Sequence, residues 1–443
     1  MKAYHGSKSK STKSVLAVSS AEYTPEELQL IGTCFGRLRE TLREGVLSLC
    51  TATGLTVLSS LMEADVTDLV GPRGKHDPAN RTAYRHGYER TSVVMGGQKV
   101  SIRRPRARTH DGQELDLPTL DAIGGTDVLT DVALARMLHG VSTRDYNAVR
   151  DPLGSHCETK GTSKSSVSRR FIEATEAELK SLLSRPLAEL DIVVLLIDGV
   201  QFSETNVLAA MGFDMDGHKH ILGLRHGSSE NATVCKDLLA DLGERGLRCD
   251  DGVLTILDGS KALRSAVKAC FGKHAVIQRC QVHKRRNVLE YLPKEQRPWV
   301  KRKLSKAWAM EDHTEATKSL KSLADQLEEQ YPHAASSLRE GLEETVTILR
   351  LNIPGLLRQT LSTTNAIESA FDITRTRTRN VKNWQNGTMV LRWAAAGLLE
   401  AEGRFRRVRG YKALPQLRSE LRRLTGDQES SETDGRGNGR KTA

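Results

Sequence analysis

Two apolar runs, each followed at once by Asp-Gly, restrict this chain more than any other feature. Val193-Val194-Leu195-Leu196-Ile197 leads into Asp198-Gly199, and Val253-Leu254-Thr255-Ile256-Leu257 leads into Asp258-Gly259. Short runs of this kind read as buried strands. Asp-Gly alone would read as a turn dipeptide, but the apolar residues before it shift the reading to a carboxylate held rigidly at a strand tip. A third acid, Glu368, stands in Ser362-Thr363-Thr364-Asn365-Ala366-Ile367-Glu368-Ser369. Three converging carboxylates would bind hard divalent cations through oxygen, and two such cations can drive in-line phosphoryl transfer. Asp198, on the first strand at the sheet centre, is the expected bridge between them.

The elements around these acids follow an α/β order. Strands are expected over 191–202, 206–213 and 220–224, with a turn at Asp214-Met215-Asp216-Gly217. A helix over 231–245, a strand over 252–257, a helix over 261–271 and a strand over 275–279 come next. Residues 284–350 carry helical spacing and no strand signal, so an all-helical segment separates the last strand from Glu368. A final helical stretch is expected from 364 to about 407. On it Arg375 stands seven residues after Glu368, about 10.5 Å along the axis, where it would hold a phosphate. Arg377, Arg379 and Lys382 continue that basic stripe, and Arg404, Arg406, Arg407, Arg409 and Lys412 form a second basic cluster.

The first part of the chain reads as a binding region. Lys plus Arg exceeds Asp plus Glu by 66 to 55, for a net charge of +11, which favours polyanionic partners. The excess is concentrated in residues 73–109, which hold ten Lys/Arg against only Asp77 and Glu89. There Val93-Val94-Met95, Gly96-Gly97, Val100 and Ile102 predict a hairpin, with Arg103, Arg104 and Arg106 as phosphate contacts. A solvated charged face is the alternative. Apolar positions from Leu28 to Leu49 predict helix over 25–70. Residues 126–186 read as a helix-turn-helix: a helix over 129–138, a restart at Ser142, and a third helix capped by Ser163 or Ser165. Arg169 and Arg170 at its start are placed for DNA readout; an ordinary helical hairpin is the alternative.

Cys280-Gln281-Val282-His283 offers only two ligands where a structural zinc site needs four. A packed cysteine and a hydrogen-bonding histidine near the carboxylates is the preferred reading. Lys284, Arg285 and Arg286 then add positive charge beside the site. Seven scattered cysteines read as reduced thiols. No run of eighteen apolar residues is present, so no membrane partner is expected. The expected location is cytoplasmic, on the nucleoid through DNA.

Several separated motifs in one order carry a resemblance. They are Asp198-Gly199-Val200, Gly223-Leu224-Arg225, Ser229-Glu230-Asn231, Asp258-Gly259-Ser260-Lys261, the run from Cys280 to Asn287, the run from Thr363 to Ser369, and Asn380-Val381-Lys382-Asn383-Trp384. From about Arg81 to Leu414 the chain resembles the Mutator-type bacterial transposases of the insertion sequence 256 family. It departs at Ala366 and Phe371, where that family often carries Pro and Asn. The resemblance implies an α/β ribonuclease-H-like catalytic domain with an all-helical insertion, preceded by a mainly helical DNA-binding region with a helix-turn-helix. It implies an Asp/Asp/Glu site at Asp198, Asp258 and Glu368 with two Mg²⁺ ions, Mn²⁺ able to substitute. It also places the family's basic residue on Arg375 and its C-x-x-H pair on Cys280 and His283. Implied partners are double-stranded DNA with terminal inverted repeats, target DNA, and a homo-dimer or higher synaptic assembly. The implied reaction is metal-dependent cleavage and strand transfer through a circular DNA intermediate. An inverted-repeat-binding protein without catalysis and a host nuclease are the competing readings.

The expected organisation is a disordered tail over 1–20, a DNA-binding region with basic hairpin over 21–125, and the helix-turn-helix over 126–186. Catalytic core follows over 187–285, then the helical insertion over 286–355, the second part of the core over 356–425, and a disordered tail over 426–443.

Overall fold

The computed structural model describes residues 45–74, 82–124, 128–227 and 232–434. The expected helix before residue 45, the tail over 1–20 and the segment 435–443 lie outside them. The chain divides into two compact units, one holding residues up to 129 and 147–162, the other 130–146 and 163 onward.

In the first unit, helix α1 (Val46–Val70) packs on a long hairpin, β1 (Ala83–Met95) and β2 (Gln98–Thr109), and a short helix, α2 (Pro118–Gly124), follows. Gly96 and Gly97 both take positive φ, 55° and 68°, which a two-residue hairpin turn of matching twist requires. Val93 and Val100 pair across the strands and are buried with Leu58, Met62 and Val66 of α1. The hairpin was expected, and it is longer than its apolar centre indicated. By length and composition α1 is apolar enough to cross a membrane, which the eighteen-residue criterion missed; 22% of its most apolar window is buried. Glu63 of α1 is a hub. It accepts from Tyr88 Oη at 2.6 Å, Arg85 Nη1 at 2.9 Å and Arg73 Nη2 at 2.9 Å. Burial works against the Glu63 carboxylate, but these donors outweigh it and hold its pKa below the usual range.

The second unit is a mixed α/β domain. Its five-stranded sheet runs in the order β6-β5-β4-β7-β8, from β4 (Ile192–Phe202), β5 (Thr205–Asp214), β6 (Lys219–Gly227), β7 (Val253–Leu257) and β8 (Ala275–Arg279). The first three form an antiparallel meander; β7 and β8 add in parallel beside β4. Parallel neighbours need crossovers, and α5 (Ala232–Glu244) and α6 (Lys261–Phe271) supply them.

Side chains alternate between the two faces of β4. Leu195 and Ile197 join the core beneath α5 and α6. Val194, Leu196, Val200 and Phe202 join a larger core with the helical segment. That segment comprises α7 (Gln281–Glu290), α8 (Arg297–Trp308), α9 (His313–Glu328), α10 (Pro332–Arg339), α11 (Thr347–Arg350) and α12 (Gly355–Leu361). After it come α13 (Asn365–Thr378), α14 (Gly387–Glu402) and α15 (Leu414–Asp434).

Four expectations change here. Asp198 is not at a strand tip: β4 runs on to Phe202, the end expected for it, with its antiparallel partner β5 alongside, whereas β7 stops at Leu257. The helical stretch expected over 364–407 is two helices, broken between Arg379 and Asn386. The C-terminal segment expected to be disordered from 426 is helical to Asp434. The helix-turn-helix also lacks its middle helix.

The segment from α3 (Val128–Leu138) to α4 (Lys164–Ser184) shows why. Ser142 Oγ accepts from the N–H groups of Arg144 and Asp145, each at 3.2 Å, as an N-cap would. The residues that follow form turns, and Tyr146 is buried beneath Arg136. Residues 147–162 belong to the first unit, where β3 (Thr159–Lys160) pairs with β2. Ser163 does cap α4, accepting from Ser166 N at 3.2 Å.

Helices α13 and α14 lie in close contact at Gly397. A β-carbon there would stand 2.7 Å from Thr374 Cγ2 and 3.1 Å from Thr374 Cα. Gly397→Val should therefore force the helices apart and destabilise the domain by about 1–3 kcal/mol, read as a fall in Tm by calorimetry. Unchanged Tm would show that the contact relaxes freely.

Candidate active site

The register of two strands makes the site. Parallel pairing matches Val194 with Leu254 and continues to Ile197 with Leu257. The next positions along are Asp198 and Asp258, whose 60-residue spacing is that register (258 − 198 = 60; 254 − 194 = 60). Adjacent strands stand about 4.8 Å apart, so the two carboxylates leave neighbouring strands side by side. By alternation Asp198 falls on the face of Leu196 and Val200, the face covered by the helical segment. Asp198 is 6% exposed, and Asp258 is half-buried. Each is oriented by a local N–H: Gly199 N donates to Asp198 Oδ1 and Ser260 N to Asp258 Oδ1, both at 2.9 Å.

Gly259 takes φ +120°, and a β-carbon there would collide with the Arg279 guanidinium at 2.4 Å. Glycine after Asp258 thus serves two needs, a left-handed backbone and passage of a buried arginine. Arg279 also donates to Gly259 O at 3.4 Å and to Glu340 O at 2.9 Å, tying the Asp258 loop to the end of α10.

Glu368 arrives from α13, whose Ile367 and Phe371 are buried in the same core. Thr364 Oγ1 donates to Glu368 Oε1 at 2.7 Å, one helical turn away. The same hydroxyl is 3.4 Å from both Cys280 Sγ and His283 Nδ1, and Thr364 N also donates to that sulfur at 3.4 Å. His283 Nδ1 lies 3.7 Å from Glu368 Oε1. Thr364 was not singled out from the sequence, although its i, i+4 spacing to Glu368 is a readable signal.

The electrostatics join the three acids. Burial first, then Asp258 and Glu368, pushes the Asp198 carboxyl up to about 7 against the pull of His283 and the Gly199 N–H. His283 is pushed up to about 9 by its hydrogen bond with Cys280 and by Asp198 and Glu368, against burial. Burial works against the Cys280 thiolate, but hydrogen bonds from His283 and Thr364 outweigh it and hold this thiol below its usual range. The oxygen donors suit a hard divalent cation. Asp198 is a carboxylate whose negative charge is destabilised by burial and by a second carboxylate, which such a cation would offset. Donor atoms of Cys280, His283 and Glu368 also lie within 4.8 Å of one another, but the sulfur is buried and already accepts from Thr364.

The expected basic residues divide. Lys284 is a correction: it is fully buried, with its ammonium on the carbonyls of Ser337 and Glu340 at the end of α10. Burial, then Arg279, pushes its pKa down to about 8. It therefore cannot reach a phosphate in this structure. Arg285 is half-buried and Arg286 exposed on α7. Arg375 is exposed and pairs with Asp372 at 3.2 Å. Arg169 is exposed, whereas Arg170 donates to Thr130 at 2.9 Å.

In the first unit, Arg106 grips Glu114 through Nε, at 2.7 Å, and Nη2, holding that carboxyl down at about 2. Arg104 donates to Leu115 O at 3.3 Å. Arg103 is exposed, its guanidinium 4.9 Å from the Tyr88 ring centroid. Of the three hairpin arginines, Arg103 is the one most open to solvent; the charge of Arg106 is already matched.

Similarity to known proteins points to one class. The family described as "Transposase, Mutator family" matches residues 38–407. The chain is 29% identical over 377 residues to the transposase for insertion sequence element ISRM5 of Rhizobium meliloti (strain 1021), covering 82% of this chain and 90% of that protein. It is 27% identical over 355 residues to the transposase for insertion sequence element IS256 in transposon Tn4001 of Staphylococcus aureus, covering 78% and 88%. It is 30% identical over 252 residues to the transposase for insertion sequence element IS6120 of Mycolicibacterium smegmatis, covering 55% and 75%. The chain belongs to the Mutator family of transposases.

A raised Asp198 has a thermodynamic consequence. The folded protein holds that proton to about pH 7, whereas an unfolded aspartate releases it near pH 4. Between those values the folded state binds more protons, so this group makes stability fall as pH rises. In EDTA, Asp198→Asn should melt higher than the native sequence at pH 8, with the gap closing toward pH 4. A gap independent of pH would place the Asp198 pKa in the ordinary range.

Proposed function

We propose that this protein is a DNA transposase that binds the terminal inverted repeats of its own element, cuts at their ends and joins the freed strand to target DNA. The observation that supports the cutting site is the side-by-side placement of Asp198 and Asp258 on the sheet face covered by the core from which Glu368 emerges. The sheet order and the helical segment before α13 support a ribonuclease-H-like reading of the domain. Bound between these carboxylates, two Mg²⁺ ions, or Mn²⁺ in their place, would supply Lewis acidity to the attacking and leaving oxygens.

The protein's own groups hold the geometry. Asp198 and Asp258 are fixed by strand register and by the Gly199 and Ser260 N–H groups. Glu368 is held by Thr364, which itself rests on Cys280 and His283. In cleavage, a water oxygen bonds to phosphorus and the 3′ oxygen leaves as a hydroxyl, with the 5′ phosphate on the other fragment. In strand transfer that 3′ hydroxyl attacks a target phosphodiester and displaces another 3′ oxygen. One phosphodiester replaces another, so no external energy source is needed. Such a scheme uses no covalent protein intermediate, and so no Ser or Tyr nucleophile.

Arg103 of the first unit, and Arg169, Arg285, Arg286 and Arg375 of the second, are proposed phosphate contacts. Synapsis of two element ends calls for a dimer or higher assembly.

Glu368→Ala and Asp258→Ala should each lower cleavage of a repeat-bearing duplex on the order of 10³-fold or more, with repeat binding kept. EDTA should match the mutants. Cutting that survives both substitutions would remove these residues from the mechanism. Arg103→Ala should weaken binding similarly across DNA sequences and reduce the slope of log K against log salt by about one. An unchanged slope in a filter-binding titration would remove Arg103 from the phosphate contacts.

A further inference from the structure

A cavity of about 450 Å³ opens among α7, α8, α12 and the start of α13. Its wall includes Gln281, Arg285, Trp308, Ile348, Arg358 and Asn365. It adjoins the carboxylate site along the chain, since Asn365 is three residues before Glu368 on α13 and Gln281 follows Cys280. A gap of three residues in a helix is a rise of about 4.5 Å.

The chemistry of the wall is specific. Arg285 and Arg358 supply two guanidinium groups, neither paired with a carboxylate among the described residues. Trp308, only 8% exposed, lines the cavity, and its indole N–H is already donated to Thr345 Oγ1 at 3.2 Å. Ile348, almost wholly buried, lines the cavity beside it, while Gln359 and Asn365 add exposed amides. Two cations, a small apolar patch and amides together match the phosphate, ring and polar edge of a nucleotide. The volume lies within the range of small-ligand pockets, roughly 300–1,000 Å³, and is too small for a duplex. A base would have to leave its stack to enter. Arg285 also borders a second cavity of about 270 Å³ with Arg286 and Lys301, which continues the positive charge along α7.

We propose that this cavity holds one unstacked nucleotide of the DNA strand next to the phosphodiester being cut. The inference rests on the carboxylates being the cutting site. It gives the helical segment a task that the carboxylates cannot perform: fixing the position of the scissile bond by capturing a neighbouring base.

The test uses the full chain and a duplex carrying the terminal repeat that flanks its gene. 2-Aminopurine is placed in turn at each position around the cut, and fluorescence and cleavage are read together. Two variants probe the cavity. Arg285→Ala combined with Arg358→Ala removes its cations. Ala309→Trp fills it from a position that is exposed and makes no core contact. With the native protein, fluorescence should rise at one position beside the cut. Both variants should lose that rise and cut roughly 10- to 100-fold more slowly, with repeat binding kept in Ala309→Trp, which removes no proposed phosphate contact. Native protein that cuts without a rise at any position would overturn the proposal, as would Ala309→Trp that keeps both signal and rate. Glu368→Gln separates the two readings: it should keep the fluorescence rise and lose cutting. If it cuts normally, the carboxylate assignment fails, whereas the fluorescence result still decides whether the cavity takes a base.

Discussion

Two like charges on neighbouring strands, one of them almost wholly buried, are the constraint on which the rest of this domain depends. Placing Asp198 beside Asp258 costs desolvation and repulsion, seen in the rise of the Asp198 pKa to about 7. A free surface would relax that strain by letting the carboxylates part. Here β4 and β7 are locked in parallel register by strands buried on both faces, so they cannot. The helices on either face are therefore more than cover: they hold in place an arrangement that its own electrostatics oppose.

The helical segment is bound to the sheet by buried cations at one point. Arg279, at the end of β8, and Lys284, on α7, both reach the carbonyl of Glu340. Arg279 also passes beneath Gly259, directly after Asp258. A charge buried this deeply would be costly without such partners, and the partners of Arg279 come from two other stretches of chain, at Gly259 and Glu340. The loop of one catalytic candidate, the last strand and the helical segment are thereby fastened together. Thr364 performs the corresponding task for Glu368, linking it to the Cys280–His283 pair.

Much of the second unit was legible because its elements are local in cause. Apolar runs, turn residues and helical spacing located the five strands, their connecting helices and the helical segment. Gly96-Gly97 gave away the hairpin turn. Errors arose where distant partners decide. Asp198 was read as a strand tip although its strand was expected to run on to 202, and only the pairing with β5 places the carboxylate within the strand. Ser142 carries a cap signal, but the chain that follows joins the first unit and adds β3 to its sheet, so no helix grows from that cap. Lys284 looks like a DNA contact within Lys284-Arg285-Arg286 because a lysine in a basic run reads as solvent-facing, although it shares its helix face with the buried Val288.

The order of the motifs, their charge and the 60-residue spacing of the two aspartates were determined by sequence alone. From them came the family and the candidate acids, because residue type and spacing along the chain are local properties. Tertiary structure alone decided that this spacing is a strand register, that Thr364 rests on Cys280 and His283, and that Lys284 is already engaged. It alone created the cavity beside α13. Each of these depends on groups brought together from far apart in the chain, and such contacts exist only once the hydrophobic faces of the sheet and helices have closed on one another.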